Sequence, residues 1–311
     1  MTEDWKEIVR RRAYQIPMPK RYVMVAFLIY EIGYVEESIL LYNHAKELYE
    51  KLKDTAGVAG VLQHLANIER RKGNVTQAKE MLFQANAIFK ELKFKPGIAT
   101  TLASIAVIER ETGKYEEAER LFDLAREIYV ELNDEAQVAA IIQNQAINET
   151  NRGNYDKARQ LAAQALLALQ NLGELLGAAN AQSVIGDIEY RQERYEKARR
   201  SFENARVTFE KLQYQPGILA TRQRLAAIER KLGNLERAEQ LAIGALQIAK
   251  KLKNLSGMAE SLGLLGTIRE SRGMLKEAKA AFSEALSIFI RLGDKRGESE
   301  ARRHLMRLES C

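Results

Sequence analysis

The sequence predicts an all-α protein, a solenoid of about seven helical hairpins with a capping helix at each end. Two observations lead there. The first is a repeat of 40 residues. Ala45, Ala85, Ala125, Ala165, Ala205, Ala245 and Ala285 recur without exception, as do Leu52, Leu92, Leu132, Leu172, Leu212, Leu252 and Leu292. Glycine recurs at Gly33, Gly73, Gly113, Gly153, Gly233 and Gly273, with Glu193 in the one vacant place. A second glycine set, Gly57, Gly97, Gly177, Gly217, Gly257 and Gly297, is broken only by Gln137. A period of this length, kept without slippage, is the mark of a repeat array. The second observation is composition. The 311 residues are 46% apolar and 29% charged, with four prolines, Pro17, Pro19, Pro96 and Pro216. Long stretches rich in Ala, Leu, Glu, Lys and Arg and free of proline favour helix.

The elements follow in order. Trp5, Ile8 and Val9 fall at helical spacing and predict a cap within residues 1–18. Residues 22–30 are apolar on all sides, and a helix of that kind is normally buried. The N-terminal segment is expected to cover it; the alternative is an interface, to a partner or to a second copy, through Val23, Phe27 and Tyr30. The array itself is assigned to residues 19–298. Within residues 59–71, Leu62, Leu65, Ala66 and Ile68 form one helical stripe, and Gly73-Asn74 then breaks the helix. These two residue types tolerate the left-handed conformation that ends helices. A second helix over about residues 75–93 has the face Ala78, Leu82, Ala85, Ile88, Phe89 and Leu92. A further alanine series, Ala78 to Ala278, has Ser38 in its first place, and small residues are needed where helices approach closely. Asp54, Asp134 and Asp294 sit where N-caps belong, and Pro96 and Pro216 near helix starts, where a missing N–H matters little. Residues 299–311 repeat only a first helix, with Leu305 and Leu308 inward, and read as the closing cap.

Charge and motif content narrow the function classes. The net charge of +6 comes from 48 basic and 42 acidic residues with both signs interspersed, which disfavours nucleic acid as partner. The only cysteine is Cys311, and His44, His64 and His304 are widely scattered. No disulfide framework, metal site or cofactor is therefore expected. No apolar run reaches the roughly 20 residues that span a bilayer, and residues 1–12 do not resemble a secretory signal. The expected location is cytoplasmic. No phosphate loop, GxSxG or HExxH motif occurs, and no enzyme activity is expected.

The order Leu65-Ala66, Gly73-Asn74-Val75, Ala78, Leu82, Ala85 resembles the tetratricopeptide repeat (TPR) pattern. It recurs as Ile105-Ala106, Gly113-Lys114-Tyr115, Ala118, Phe122, Ala125, and again as Ile185-Gly186, Tyr195, Ala198, Phe202, Ala205. The resemblance covers about residues 19–309. The long 40-residue form is similar to arrays in spindle-orientation adaptors, kinesin light chains and bacterial signalling sensors. It implies a right-handed superhelix whose concave face, lined mainly by the first helix of each repeat, holds a partner segment. The family's clamp for acidic C-termini is incomplete here: Asn67 matches, but Gln63 and Ser104 stand where a Lys and an Asn belong.

Carried onto this chain, the concave positions include Gln63, Asn67, Arg70, Arg110, Gln143, Asn180, Asp187, Tyr190, Gln223 and Arg230. Arg70 and Arg110 hold the same place in adjacent repeats and are expected side by side, with Arg230 repeating the place further on. Guanidinium forks suit carboxylates and phosphates, so an acidic or phosphorylated segment is one expectation; the alternative is pairing with the recurring Glu69, Glu109, Glu149, Glu189 and Glu229. The amides of Gln63, Gln143, Gln223, Asn67 and Asn180 either bond an extended peptide backbone or form ordinary solvated surface. The leading reading is a scaffold or adaptor that binds a protein or peptide. A sensor closing on a short signalling peptide is the alternative. RNA recognition is disfavoured, because one helical position reads Val, Gln, Ala, Gln, Ser, Gln, Gly along the array rather than as a base-reading code.

Overall fold

A computed structural model describes residues 18–31 and 34–309 of the chain. Among them are fifteen α-helices and no strand. The hairpins are α1 (Met18–Glu31) with α2 (Val35–Lys51), α3 (Thr55–Arg71) with α4 (Val75–Glu91), and α5 (Lys95–Glu111) with α6 (Tyr115–Glu131). Next come α7 (Glu135–Arg152) with α8 (Tyr155–Asn171), and α9 (Leu175–Arg191) with α10 (Tyr195–Lys211). The last are α11 (Gln215–Lys231) with α12 (Leu235–Lys251), and α13 (Leu255–Ser271) with α14 (Leu275–Leu292), before a single helix α15 (Lys295–Glu309). The expected N-terminal cap, Gly33 and Cys311 lie outside the described residues.

The chain divides into two compact units, Met1–Thr101 and Leu102–Cys311. In the first, α1 packs on α2, α2 on α3 and α3 on α4. In the second, each helix from α6 onward packs on the next in sequence. Such nearest-neighbour burial is solenoid packing: no hairpin buries its apolar face alone. In the second unit the first helices of successive hairpins also touch, α7 with α9, α9 with α11 and α11 with α13.

Local chemistry sets the ends. Asp54, Asp134 and Asp294 accept backbone N–H groups of Gly57, Gln137 and Gly297 at 2.8, 3.1 and 2.9 Å, and Asn254 does the same for Gly257 at 2.8 Å. Gly73, Gly113, Gly153, Gly233 and Gly273 take left-handed backbone, and Glu193, in the vacant place of that series, takes φ 58°. A second left-handed turn ends the other helix of each repeat. It is held by Lys53, Lys93, Asn133, Gln213 and Lys253, with glycine only at Gly173 and Gly293. The alanine places are fully buried, and Ser38 is tolerated among them because its hydroxyl donates to the Ala26 carbonyl at 2.8 Å.

Three expectations are corrected. Leu92 does not belong to the buried face of its helix: it is 46% exposed, and Leu52 is 66% exposed. These leucines are the C-cap residues that follow α2 and α4, so the helical stripe ends before it reaches them. The apolar helix α1 is not buried all round. Val25, Ala26 and Ile29 are buried, with Ala26 in one core cluster with Tyr42 and Ala45 of α2, while Met24, Phe27 and Leu28 are exposed. The closing helix starts at Lys295, not at residue 299, because Asp294 caps it. Its deepest residues are Gly297 and Ala301, with Leu305 and Leu308 half-buried.

Candidate binding face

The recurring glutamates Glu69, Glu109, Glu149, Glu189 and Glu229 are all buried. Each reaches forward to the turn that ends its own helix. Asn74, Asn154 and Asn234 donate side-chain N–H groups to Glu69, Glu149 and Glu229 at 2.6, 2.7 and 2.7 Å. Arg194 lies 3.6 Å from Glu189. A cation on the next helix completes several of these sites, with Lys157 2.7 Å from Glu149 and Arg237 3.3 Å from Glu229. The glutamates thus join each first helix to its turn and to the second helix, which explains their period.

In the first unit, Arg70 donates to Asn67 at 2.9 Å. Gln63 is half-buried with its Nε2 inside the protein. Val23 and Tyr30 pack partly against the core, Phe27 is exposed, and the Arg71 guanidinium lies 5.6 Å from the Tyr30 ring centre.

In the second unit, several expected groove residues are spent on ties between first helices. Arg110 on α5 donates to the carbonyl and the side chain of Asn144 on α7, both at 3.3 Å, and lies 5.9 Å from the Phe122 ring centre. Asp187 on α9 pairs with Arg224 on α11 at 3.2 Å. Burial pushes the Asp187 carboxyl above its usual value, and Arg224 and Arg191 offset this only in part. Gln223 on α11 donates to Gly257 O and Ser261 Oγ on α13 at 3.2 and 3.0 Å. Glu270 on α13 meets Arg307 and His304 on α15 at 2.5 and 3.3 Å. Sequence reading missed Asn144, Arg224, Ser261 and Arg307 as partners. Their signal is a spacing of 34 to 38 residues, just short of one repeat. Gln143 is half-buried, Asn180 exposed, and Tyr190 stands edge-on to Tyr195 with ring centres 5.5 Å apart. Arg230 is half-buried with its Nε inside the protein.

Beside Arg230 the face opens into a cavity of about 320 Å³ between α11, α13, α14 and α15. Glu260, Gly263, Thr267, Phe282 and His304 help to line it. Among the described residues no group of three or more His, Cys, Asp or Glu side chains could hold a metal. Nor is any helix long and apolar enough to cross a membrane.

The sequence profile of the tetratricopeptide repeat matches residues 54–131, 135–210 and 217–291, more than half of the chain. The chain belongs to the tetratricopeptide repeat family. No curated protein matches it. Among solved structures, this TPR chain is similar to a Rap protein complexed with competence and sporulation factor. The TM-score is 0.66 at 16% identity, over 98% of this chain and 91% of that one. It is also similar to a signal transduction ATPase with a TPR sensor from Pyrococcus horikoshii, with TM-score 0.60 and 15% identity, over 100% of this chain and 53% of the ATPase. A third likeness is to BtubC from P. vanneervenii, with TM-score 0.55 and 18% identity, over 74% and 93% of the two chains. At these identities the likeness is one of fold. TPR arrays are typically non-catalytic protein-binding scaffolds.

Proposed function

We propose that this TPR chain is a cytoplasmic, non-catalytic scaffold or adaptor, and that a protein or peptide segment lies along the first-helix face of residues 102–311. The observation that carries this reading is the set of side-chain ties between successive first helices. Arg110–Asn144, Asp187–Arg224 and Gln223–Ser261 hold neighbouring helices at fixed spacing. A face already ordered in the free protein loses little freedom on binding. Gln143, Asn180 and Tyr190 then supply groups for an extended backbone. Arg110 favours an acidic or phosphorylated group at its end of the face, and Arg70 makes the same offer within the first unit.

Co-purification with mass spectrometry identifies the partner, and Gln143→Ala combined with Asn180→Ala tests the face. Affinity should fall roughly tenfold, about 1.4 kcal/mol, with melting unchanged. Unchanged affinity would place the partner elsewhere.

A second reading is a sensor for a short signalling molecule. It is favoured by the Rap protein complexed with competence and sporulation factor, which shares this fold over 91% of its length. Closure on a short ligand would make solution scattering contract when it binds; a scaffold would leave the scattering profile unchanged.

A further inference from the structure

Two places break the repeat in one hairpin, and the structure puts them in contact. Arg222 on α11 stands where other repeats have Leu62, Leu102, Ile142 and Leu262, with Tyr22 and Gln182 in the remaining places. Of these, Leu62, Ile142 and Leu262 belong to the buried core. Gly244 on α12 stands where others have His44, Gln84, Leu124, Gln164, Asn204 and Glu284, all exposed. Gly244 is buried instead, and a Cβ on it would run into Arg222 Nη1. The arginine thus starts at a core position and surfaces through a notch left by the glycine. Long cationic side chains bury their stems in this way while the charged head stays in water.

That charge has no counterpart within the chain. Among the described residues Arg222 makes no ion pair and no hydrogen bond; its Nε is buried without a partner, and its two terminal nitrogens reach solvent. Leaving a buried donor unpaired is unfavourable, and the leucine of other repeats avoids it. The acids of the neighbouring helix α10 are engaged elsewhere. Glu203 and Glu210 are held by Arg206 at 2.7 and 2.6 Å, and Glu203 also by Arg237 of α12 at 3.2 Å. One turn to either side of Gly244, α12 carries Gln240, Leu241, Gln247 and Ile248, none of them charged. Arg230 also has a buried, unpaired Nε, but it shares its cavity with Glu260 and Glu300, where an anion would meet like charge.

We infer that the Gly244 notch is a docking point for one oxyanion, the carboxylate or phosphate of a side chain on a protein partner. It lies on the outer side of α12 and is independent of the first-helix face. A guanidinium suits this ligand because it offers parallel donors and is weakly hydrated. With Nε sealed, pairing is end-on, through Nη1 and Nη2. One unpaired cation answers one acidic or phosphorylated side chain, whereas a nucleic-acid backbone is held by several.

The test is NMR on the full chain, titrated with inorganic phosphate and with acetate, against sodium chloride at equal ionic strength. The Gly244 amide and the Arg222 Nε–H signals should shift saturably with an oxyanion and not with chloride. Shifts from both anions assign the site to either group; shifts from phosphate alone assign it to a phosphorylated residue. In Arg222→Leu the Gly244 shift should vanish, and Arg222→Lys should weaken the anion roughly tenfold. Arg222→Leu with Gly244→Gln recreates the Leu62 and Gln84 pair of this same chain, so it keeps the fold and should also lose the site. Gln143→Ala with Asn180→Ala should leave the shift unchanged. A random peptide array with Glu, phosphoserine or Gln at its central position tests the protein partner. Binding to the wild type should require Glu or phosphoserine there and fall at least about tenfold in Arg222→Leu. No saturable shift, equal shifts in Arg222→Leu, or array binding indifferent to the central anion would overturn the inference.

Discussion

Gly97 lies directly beneath the ring of Phe89, and a Cβ on Gly97 would come within 2.6 Å of the ring Cγ. The relationship recurs through the array: Gly217 would meet Phe209 at 2.5 Å, and Gly57 and Gly297 stand in the same way against Tyr49 and Phe289. The aromatic residue near the end of one hairpin thus closes on the first turn of the next helix. Only a residue without a side chain allows that approach.

This relationship separates glycines by cost. Gly217→Ala should lower unfolding free energy by about 1–3 kcal/mol, because a filled contact must be forced apart. At Gly60 and Gly263 a Cβ meets nothing within 4 Å. Alanine there should raise stability by about 0.5–1 kcal/mol, since it removes the conformational freedom that glycine adds to the unfolded chain. Denaturant unfolding of the three variants checks both signs.

Helix α7 carries polar residues in its core stripe. Gln145 and Asn148 stand where the neighbouring repeats have Ile105 and Ile108, or Ile185 and Ile188. Gln145 donates to Glu119 and Asp123 at 3.1 and 3.0 Å, and Asn148 to Tyr115 O and Glu119 at 3.0 Å each. The remaining amide oxygens of both residues are buried without a hydrogen-bond partner. Asn148→Ala should therefore lower stability by about 1–3 kcal/mol. The pair Gln145→Leu with Asn148→Ile should leave stability equal or higher, because it removes both under-satisfied groups and fills their volume. Thermal unfolding of the single and double variants makes the comparison.

Two carboxylates make the fold sensitive to acid. At Glu149 burial pushes the pKa up, but hydrogen bonds from Lys157 and Asn154 and the charges of Lys157 and Arg152 outweigh it, and the carboxyl lies below the ordinary value of 4.5. At Glu239 the hydrogen bond from Arg269 dominates, burial opposes it, and Arg272 adds to the lowering. A depressed folded pKa contributes stability that is complete above the unfolded value and lost as pH falls towards the folded one. The melting temperature should thus be flat at neutral pH and fall below about pH 4.5. Glu239→Gln should start lower and show a shallower acid decline.

Arg110 is held by Asn144 and lies over Phe122, so it serves the fold as well as the face. Arg110→Ala should lower the melting temperature and also weaken an acidic or phosphorylated partner segment. A charge-assisted hydrogen bond is worth about 1.5–3 kcal/mol, so the loss of affinity should be roughly tenfold or more, with a shallower salt dependence. Lowered melting with unchanged affinity at two salt concentrations would assign Arg110 to structure alone.

The repeat register, the hairpin succession, the caps at Asp54, Asp134 and Asp294, and the left-handed glycines could be read from the residues themselves. Each depends on chemistry within a few positions of one helix end, repeated until chance is excluded. Other features were decided only by packing between helices. Leu52 and Leu92 recur in register yet lie exposed, because their helices stop one residue earlier. Lys53, Lys93 and Gln213 take left-handed backbone that their residue types do not announce. The candidate groove residues Arg110, Asp187 and Gln223 bond to helices 34 to 38 residues away, and Gly263 opens a cavity where Gly266 is pressed against Phe282. Two glycines three positions apart on one helix look alike in sequence. Their roles differ because one faces an aromatic ring and the other faces the space between two helices, and that direction is set only when the hairpins stack.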